Sequence, residues 1–243
     1  ILKKIKKNKG QIIQRLDGIY YPSKHQHAYI DYNKNINNIY LNFADYIVFQ
    51  SEYSRKQCFA ILGEKSVEQY TIIINGVHKE LFYPDPDFKI GQKINFITTG
   101  NFRNIDMIEP VVTALDDLQN QFNFELNVVG PIVNKELEKY FKKDYIKYHG
   151  PKSLREVAEL LRSSNIFIYS HLNPPCPNSV IEAISCGLPV VGFNSGSLSE
   201  LCFFSTKLLA DVSHDVFQNY KDFNSLKLKD KIVFIVCCDK LYI

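Results

Sequence analysis

From residue 93 onward the chain alternates two patterns that together leave few folds open. Short runs of β-branched and aromatic apolar residues, each closed by a glycine or a tight turn, take turns with segments whose apolar residues recur at helical spacing. Strands that read as continuous apolar runs are buried on both faces, and consecutive parallel strands need a crossover helix. The alternation therefore predicts an α/β unit with a parallel sheet between helices. Residues 93–98 form the first predicted strand, closed by Gly100; Met107, Ile108, Val111, Val112, Leu115 and Leu118 follow at helical spacing, and 124–129 is the next strand, closed by Gly130. A short helix around Leu137, Tyr140 and Phe141 leads to a strand at 145–148 and the turn His149-Gly150-Pro151. Ser153 and Glu156 read as a capping box for a helix that turns Leu154, Val157, Leu160 and Leu161 inward, and 165–169 is a buried strand.

The next helix has both ends marked. Asn178 is placed as its N-cap, Gly187 sits where left-handed dihedrals end a helix, and Pro189 bars continuation. Residues 189–193 resume the strand pattern, Asn194-Ser195-Gly196 turns, and Ser197 with Glu200 reads as a second capping box. Before residue 93 the pattern loosens, with candidate strands at 11–16, 46–50 and 70–74 and a stiff linker at Phe82-Tyr83-Pro84-Asp85-Pro86. Residues 1–86 are expected to form a truncated N-terminal domain, since a full lobe of this kind needs roughly 100 residues; 87–215 form the α/β domain and 216–243 an atypical tail. In that tail 232–238 reads as an apolar run without helical period, an aggregation hazard where exposed, and suggests a gene fragment or an altered reading after about residue 201.

Charge and cysteine usage narrow the function classes. Lys plus Arg number 29 against 26 Asp plus Glu, a net charge of +3, too even for a nucleic-acid binder. Lys3, Lys4, Lys6, Lys7 and Lys9, interleaved with Ile1, Leu2 and Ile5, read as a solvated helix face or as a weak peripheral contact with an anionic membrane. The six cysteines show neither a C-x-x-C pair nor metal spacing, so no metal site and a reduced, cytoplasmic setting are expected. No apolar stretch approaches the roughly 20 residues that span a bilayer.

The segment 174–191, Pro-Pro-Cys-Pro-Asn-Ser-Val-Ile-Glu-Ala-Ile-Ser-Cys-Gly-Leu-Pro-Val-Val, resembles the donor-site signature of the retaining glycosyltransferases of family 4, the group 1 transferases. Supporting segments are 44–51 (Ala-Asp-Tyr-Ile-Val-Phe-Gln-Ser), Ile73-Ile74-Asn75-Gly76-Val77 ahead of Phe82, and the strand–glycine unit ending at Gly100. The resemblance covers roughly residues 11–201, and the block from Glu182 to Pro189 carries most of it. It implies a GT-B fold, α/β, with a Rossmann-like parallel-sheet domain for the donor and a Rossmann-like acceptor domain, here truncated. It also implies a hexosyl-type transferase that moves a sugar from a UDP- or GDP-linked donor to a carbohydrate or lipid acceptor, with no metal and no cofactor beyond the donor itself.

The residues fit that chemistry on physical grounds. A departing nucleoside diphosphate must be neutralised, and the start of the helix at Asn178 offers free N–H groups and a positive dipole end. Asn178, Ser179 and Val180 are expected to meet phosphate oxygens through backbone amides, and Glu182, one turn on, to grip the ribose hydroxyls; a dipole complement is the plainer role for such a Glu. Arg103, after Gly100 and Asn101 in the loop that follows the first strand, is expected to clamp the diphosphate, or else to be an ordinary surface arginine. The resemblance places the nucleobase near Gly150 and Pro151. Two departures favour an alternative, a partial or degenerate protein that binds nucleotide or a partner without transferring sugar. Pro174 stands where the family has an acidic residue, and the acceptor-side domain is expected to lack its early strands, where the family keeps a His and a Gly-rich loop facing the donor; the loop after Gly100 also carries one cation, where the family places an Arg and a Lys. Asp17, in Arg15-Leu16-Asp17-Gly18, is expected to face the cleft or simply to turn the chain, and His25, His27, His149 and His171 are expected to be surface residues.

Overall fold

The computed structural model describes residues 1–87, 91–213, 215–217, 219 and 224–237. The first part of the chain runs α1 (Leu2–Lys7), β1 (Ile13–Leu16), α2 (Pro22–His25), α3 (Tyr29–Asn42), β2 (Tyr46–Phe49), α4 (Glu52–Leu62) and β3 (Tyr70–Ile72). Its strands pair in parallel in the order β1-β2-β3, with Ile13 opposite Tyr46 and Ile47 opposite Tyr70. Leu16, Tyr40, Ile47, Phe49, Cys58 and Leu62 close a small core beneath this sheet. The amino-terminal basic segment is helical as α1, buries none of its residues, and sends Lys6 to the Asp45 carboxylate.

The second part runs β4 (Ile94–Thr99), α5 (Glu109–Asp116), β5 (Phe124–Val129), β6 (Ile146–Gly150), α6 (Leu154–Arg162), β7 (Ile166–Tyr169), α7 (Asn178–Ser185), β8 (Val190–Phe193), α8 (Leu198–Leu201), β9 (Leu209–Ala210) and α9 (Ser225–Cys237). The short helix expected near Leu137 is a 3-10 segment, Lys135–Phe141. All pairs in the sheet are parallel, in the order β6-β5-β4-β7-β8-β9. The chain winds outward from β4 to β6, then returns beside β4 with β7 and winds the other way. The loops leaving β4 and β7 therefore diverge, and such a switch point opens a crevice at the carboxyl ends of the strands.

Alternation within the strands fills both faces. Phe96, Leu126, Val128, Ile168 and Phe193 join Val111 and Leu115 of α5, while Ile97, Val129, Phe167, Tyr169 and Val190 join residues of α6, α7 and α8. The capping box of α6 forms as expected: Glu156 accepts from the Ser153 N–H at 2.9 Å, and the Ser153 hydroxyl from the Glu156 N–H at 3.4 Å. Leu154, expected to point inward, is 58% exposed, and the inward face of α6 is carried by Ala158 and Leu161.

The expected tail is corrected by α9. Leu228, Ile232 and Ile235, spaced four and three residues apart, are buried in the core cluster that also holds the apolar residues of α5. The run 232–238 by itself hides this stripe, because the first member lies upstream among alternating lysines that resemble a strand. Lys229 and Lys231 bond Asp117 and the Lys207 carbonyl at 3.0 and 2.9 Å. The end of the expected tail, 238–243, and residues 214, 218 and 220–223 lie outside the described residues. Among the described residues no helix is long and apolar enough to cross a membrane.

Candidate functional site

The loops after β4 and β7 face the small sheet across a cleft of about 630 Å³. Asn101, Arg103 and Asp106 line it from the first loop, His171 and Pro174 from the second, and Asp17 and Lys24 from the side of the small sheet. Asp17 thus faces the cleft, as its place after a strand suggested. The two parts are tied beside this opening: the Glu200 carboxylate accepts from the Glu52 and Tyr53 N–H groups at 2.8 and 2.7 Å, and the Ser51 hydroxyl donates to the Pro175 carbonyl. The expected Ser197–Glu200 capping box therefore does not form, and α8 has no side-chain cap. Its carboxylate serves the amino end of α4 instead, where two N–H groups have no partner within their own helix and the dipole favours an anion.

Of the residues expected to hold a donor, Arg103 and Asn101 lie exposed on the cleft wall. Among the described residues the Arg103 guanidinium makes no hydrogen bond or ion pair. Gly100 and Gly150 belong to a ladder across the strand ends: Gly100 N–H donates to the Val129 carbonyl at 3.0 Å, and Gly130 N–H to the Gly150 carbonyl at 2.8 Å. Only glycine fits at position 130 in this rim, since its φ is +123° and a Cβ there would stand 1.9 Å from the Gly100 oxygen. Gly150 ends β6, two strands from β4, with Pro151 just after it, and neither residue lines this cleft or its neighbour.

The start of α7 differs from expectation in two respects. Pro177, extended at φ −75° and ψ 114°, is the N-cap, and Asn178 is the first helical residue with no capping bond. The Asn178 amide oxygen instead accepts from Asn75 at 2.7 Å, and the same Asn75 nitrogen reaches the Cys176 carbonyl at 3.3 Å. The Pro177 carbonyl takes the Val180 N–H at 3.1 Å, so Val180 has no amide left for a phosphate; the Asn178 and Ser179 N–H groups donate to nothing among the described residues. Asn178 lines a second cleft of about 600 Å³ with Arg15, Asn75 and Gly76, and Asp17 borders both openings. Glu182 is half-buried one turn into α7, lines neither cleft and has no hydrogen-bond partner among the described residues; burial raises its pKa above the usual carboxylate range.

The cleft also gathers side chains that sequence reasoning passed over. Asp106, 2% exposed, is pushed up to about 6 by burial, against the pull of the nearby Lys24 charge. His25 and His171, expected on the surface, line the cleft, and burial with the Lys24 charge pushes His171 down to about 4. Asp106 falls in the loop that supplied Arg103, so its position was in view; nothing in the sequence said that the chain would turn it inward. Among the described residues no three His, Cys, Asp or Glu side chains gather so as to hold a metal ion.

Residues 93–214 match the family model described as glycosyl transferases group 1. An uncharacterized glycosyltransferase of Methanocaldococcus jannaschii is 27% identical over 161 residues, covering 65% of this chain and 42% of that protein. A Homo sapiens protein, one component of phosphatidylinositol N-acetylglucosaminyltransferase, is 25% identical over 155 residues, covering 61% of this chain and 32% of its own. The match thus spans less than half the length of either relative. Sucrose-phosphate synthase from Thermosynechococcus elongatus superposes with a TM-score of 0.72 at 18% identity, covering 96% of this chain and 60% of its own. The Anabaena protein HepE, solved in complex with UDP and glucose, gives a TM-score of 0.64 at 15% identity, covering 96% and 73%. WaaG, a glycosyltransferase involved in lipopolysaccharide biosynthesis, gives 0.67 at 14%, covering 98% and 72%. At these identities the structural likeness establishes the GT-B fold, and the family model, which covers half of the chain, including both loops at the switch point, establishes the kinship: the chain belongs to the group 1 glycosyl transferases.

Proposed function

We propose that this chain holds the donor side of a nucleotide-sugar glycosyltransferase that moves a hexosyl group, with retention and without a bound metal, from a UDP- or GDP-linked donor to a carbohydrate or lipid acceptor. The observation that carries the reading is the convergence, at the β4–β7 switch point, of Arg103, unpaired among the described residues, with the loop that leads into the amino end of α7. Arg103 lines the first cleft and Asn178 the second, with Pro177 on the wall of the first; a diphosphate that reaches from the guanidinium past Pro177 meets the free Asn178 and Ser179 N–H groups. These groups stabilise the departing phosphate as charge develops on it, which is the work a divalent cation would otherwise do. Glu182, with no competing partner among the described residues, receives the ribose hydroxyls once the donor is seated, and Gly100, Gly150 and Pro151 shape the strand-end rim that the nucleoside lies along.

Calorimetry with UDP and GDP, with and without chelator, tests the reading. Binding that persists in chelator and weakens about tenfold or more in Glu182→Ala is the expected result; tight binding that requires Mg²⁺ sinks it. Pro174 favours a second reading, a chain that binds the donor and transfers nothing, because a proline side chain neither accepts nor donates a proton. A product assay with a panel of donors and ultraviolet-absorbing acceptors decides between them, since transfer by this chain excludes the second.

A further inference from the structure

One carboxylate in the cleft has no part in holding a nucleoside diphosphate. Asp106 lines the cleft with 2% of its surface exposed, and its Oδ1 has no hydrogen-bond partner among the described residues. Buried carboxylate oxygens are nearly always satisfied, so one left without a partner on a side chain that lines a ligand-sized cavity points to what the cavity receives. A phosphate is the wrong partner, since like charges would meet. A sugar hydroxyl is the right one: it donates, Oδ1 accepts, and the charge makes the bond short and directional. Pro174, on the wall that comes from β7, offers no acceptor side chain, while Lys24 from α2 lies near enough to Asp106 to favour its charged form.

We propose that Asp106 receives hydroxyl groups of the sugar carried by the nucleotide donor, three residues along the loop from the arginine that faces the diphosphate. The proposal rests on the donor-site reading above and deepens it, because Asp106 then selects the sugar and Arg103 the phosphate. Selection of this kind is specific in a way that apolar pockets are not, since an analogue lacking the hydroxyl leaves a buried acceptor unpaired.

Titration calorimetry on the full chain separates the two ideas. The probes are UDP, GDP, UDP-glucose, UDP-N-acetylglucosamine and GDP-mannose, applied to the wild type, Asp106→Asn and Asp106→Ala, each checked for folding by circular dichroism. The expected result is that the sugar nucleotide bound most tightly by the wild type loses about tenfold or more in both variants, while its bare diphosphate changes by less than about twofold. Equal losses for the diphosphate and its sugar conjugate overturn the proposal and make Asp106 a structural partner of Lys24. Unchanged affinity for every sugar nucleotide, or a wild type that binds none of them more tightly than the bare diphosphate, also overturns it. Failure of the wild type to bind UDP or GDP at all is a different outcome, which removes the donor-site reading itself.

Discussion

Truncating Ile232 to alanine tests whether α9 is part of the core or a loosely attached tail. The side chain is fully buried (0% exposed) in the cluster it shares with Val111, Val112 and Leu115 of α5 and Phe193 of β8. The substitution removes Cγ1, Cγ2 and Cδ1, which at roughly 0.8 kcal/mol per carbon amounts to about 2.5 kcal/mol of lost transfer free energy. Because α5, α9 and the sheet meet there, the vacated space collapses only in part, and the cavity raises the cost to about 3–4 kcal/mol. Phe234, two residues along and 49% exposed, is the control; its truncation is expected to cost no more than about 0.5 kcal/mol. Urea unfolding followed by circular dichroism reads both, and thermal melts should separate them by about 6–15 °C for a chain of this size. Equal midpoints for the two variants would refute the argument, since they would mean that the stripe at 228, 232 and 235 does not bear on the sheet.

Asp106 and His171 give opposing pH dependences. Asp106 rises from 3.8 to about 6 on folding, so the folded chain binds more protons in that window and stability falls as pH climbs through it; His171 drops from 6.5 to about 4, so the unfolded chain binds more protons there and stability grows with pH. Each is worth about 3 kcal/mol and they offset in the wild type, so Asp106→Asn is expected to uncover a stability that climbs steeply between about pH 4 and 6.5 in urea titrations; a flat profile in that variant contradicts the assignment. Gly130→Ala drives a methyl group into the Gly100 carbonyl at a positive φ, and is expected to lower stability by about 3 kcal/mol or more, read as a lost or sharply lowered melting transition.

The parallel α/β order of residues 93–210 was legible because each strand is buried on both faces and each turn has its own chemistry. The Ser153–Glu156 box and the left-handed Gly187, at φ 82°, formed where the residues asked for them. What the sequence concealed were choices between partners. Glu200 had the spacing of a local cap, yet a helix end nearly 150 residues away offered two N–H groups. Asn178 had the chemistry of an N-cap, yet Asn75 claimed its oxygen. For Asp106 the loop was legible but not the burial, which depends on which wall the loop turns toward. The α9 stripe was present in the spacing of Leu228, Ile232 and Ile235, and was obscured by the lysines that surround its first member.

Asn75 belongs to the small sheet's side of the molecule, held there by Arg15, yet its amide rests on the first residue of α7 and on the carbonyl two positions before it. The free Asn178 and Ser179 N–H groups thus lie at the very residues Asn75 holds. A guest that displaces Asn75 from the helix end gives up both of these bonds between the two parts, and it can shift that contact by no more than the difference in its affinity for the joined and parted arrangements.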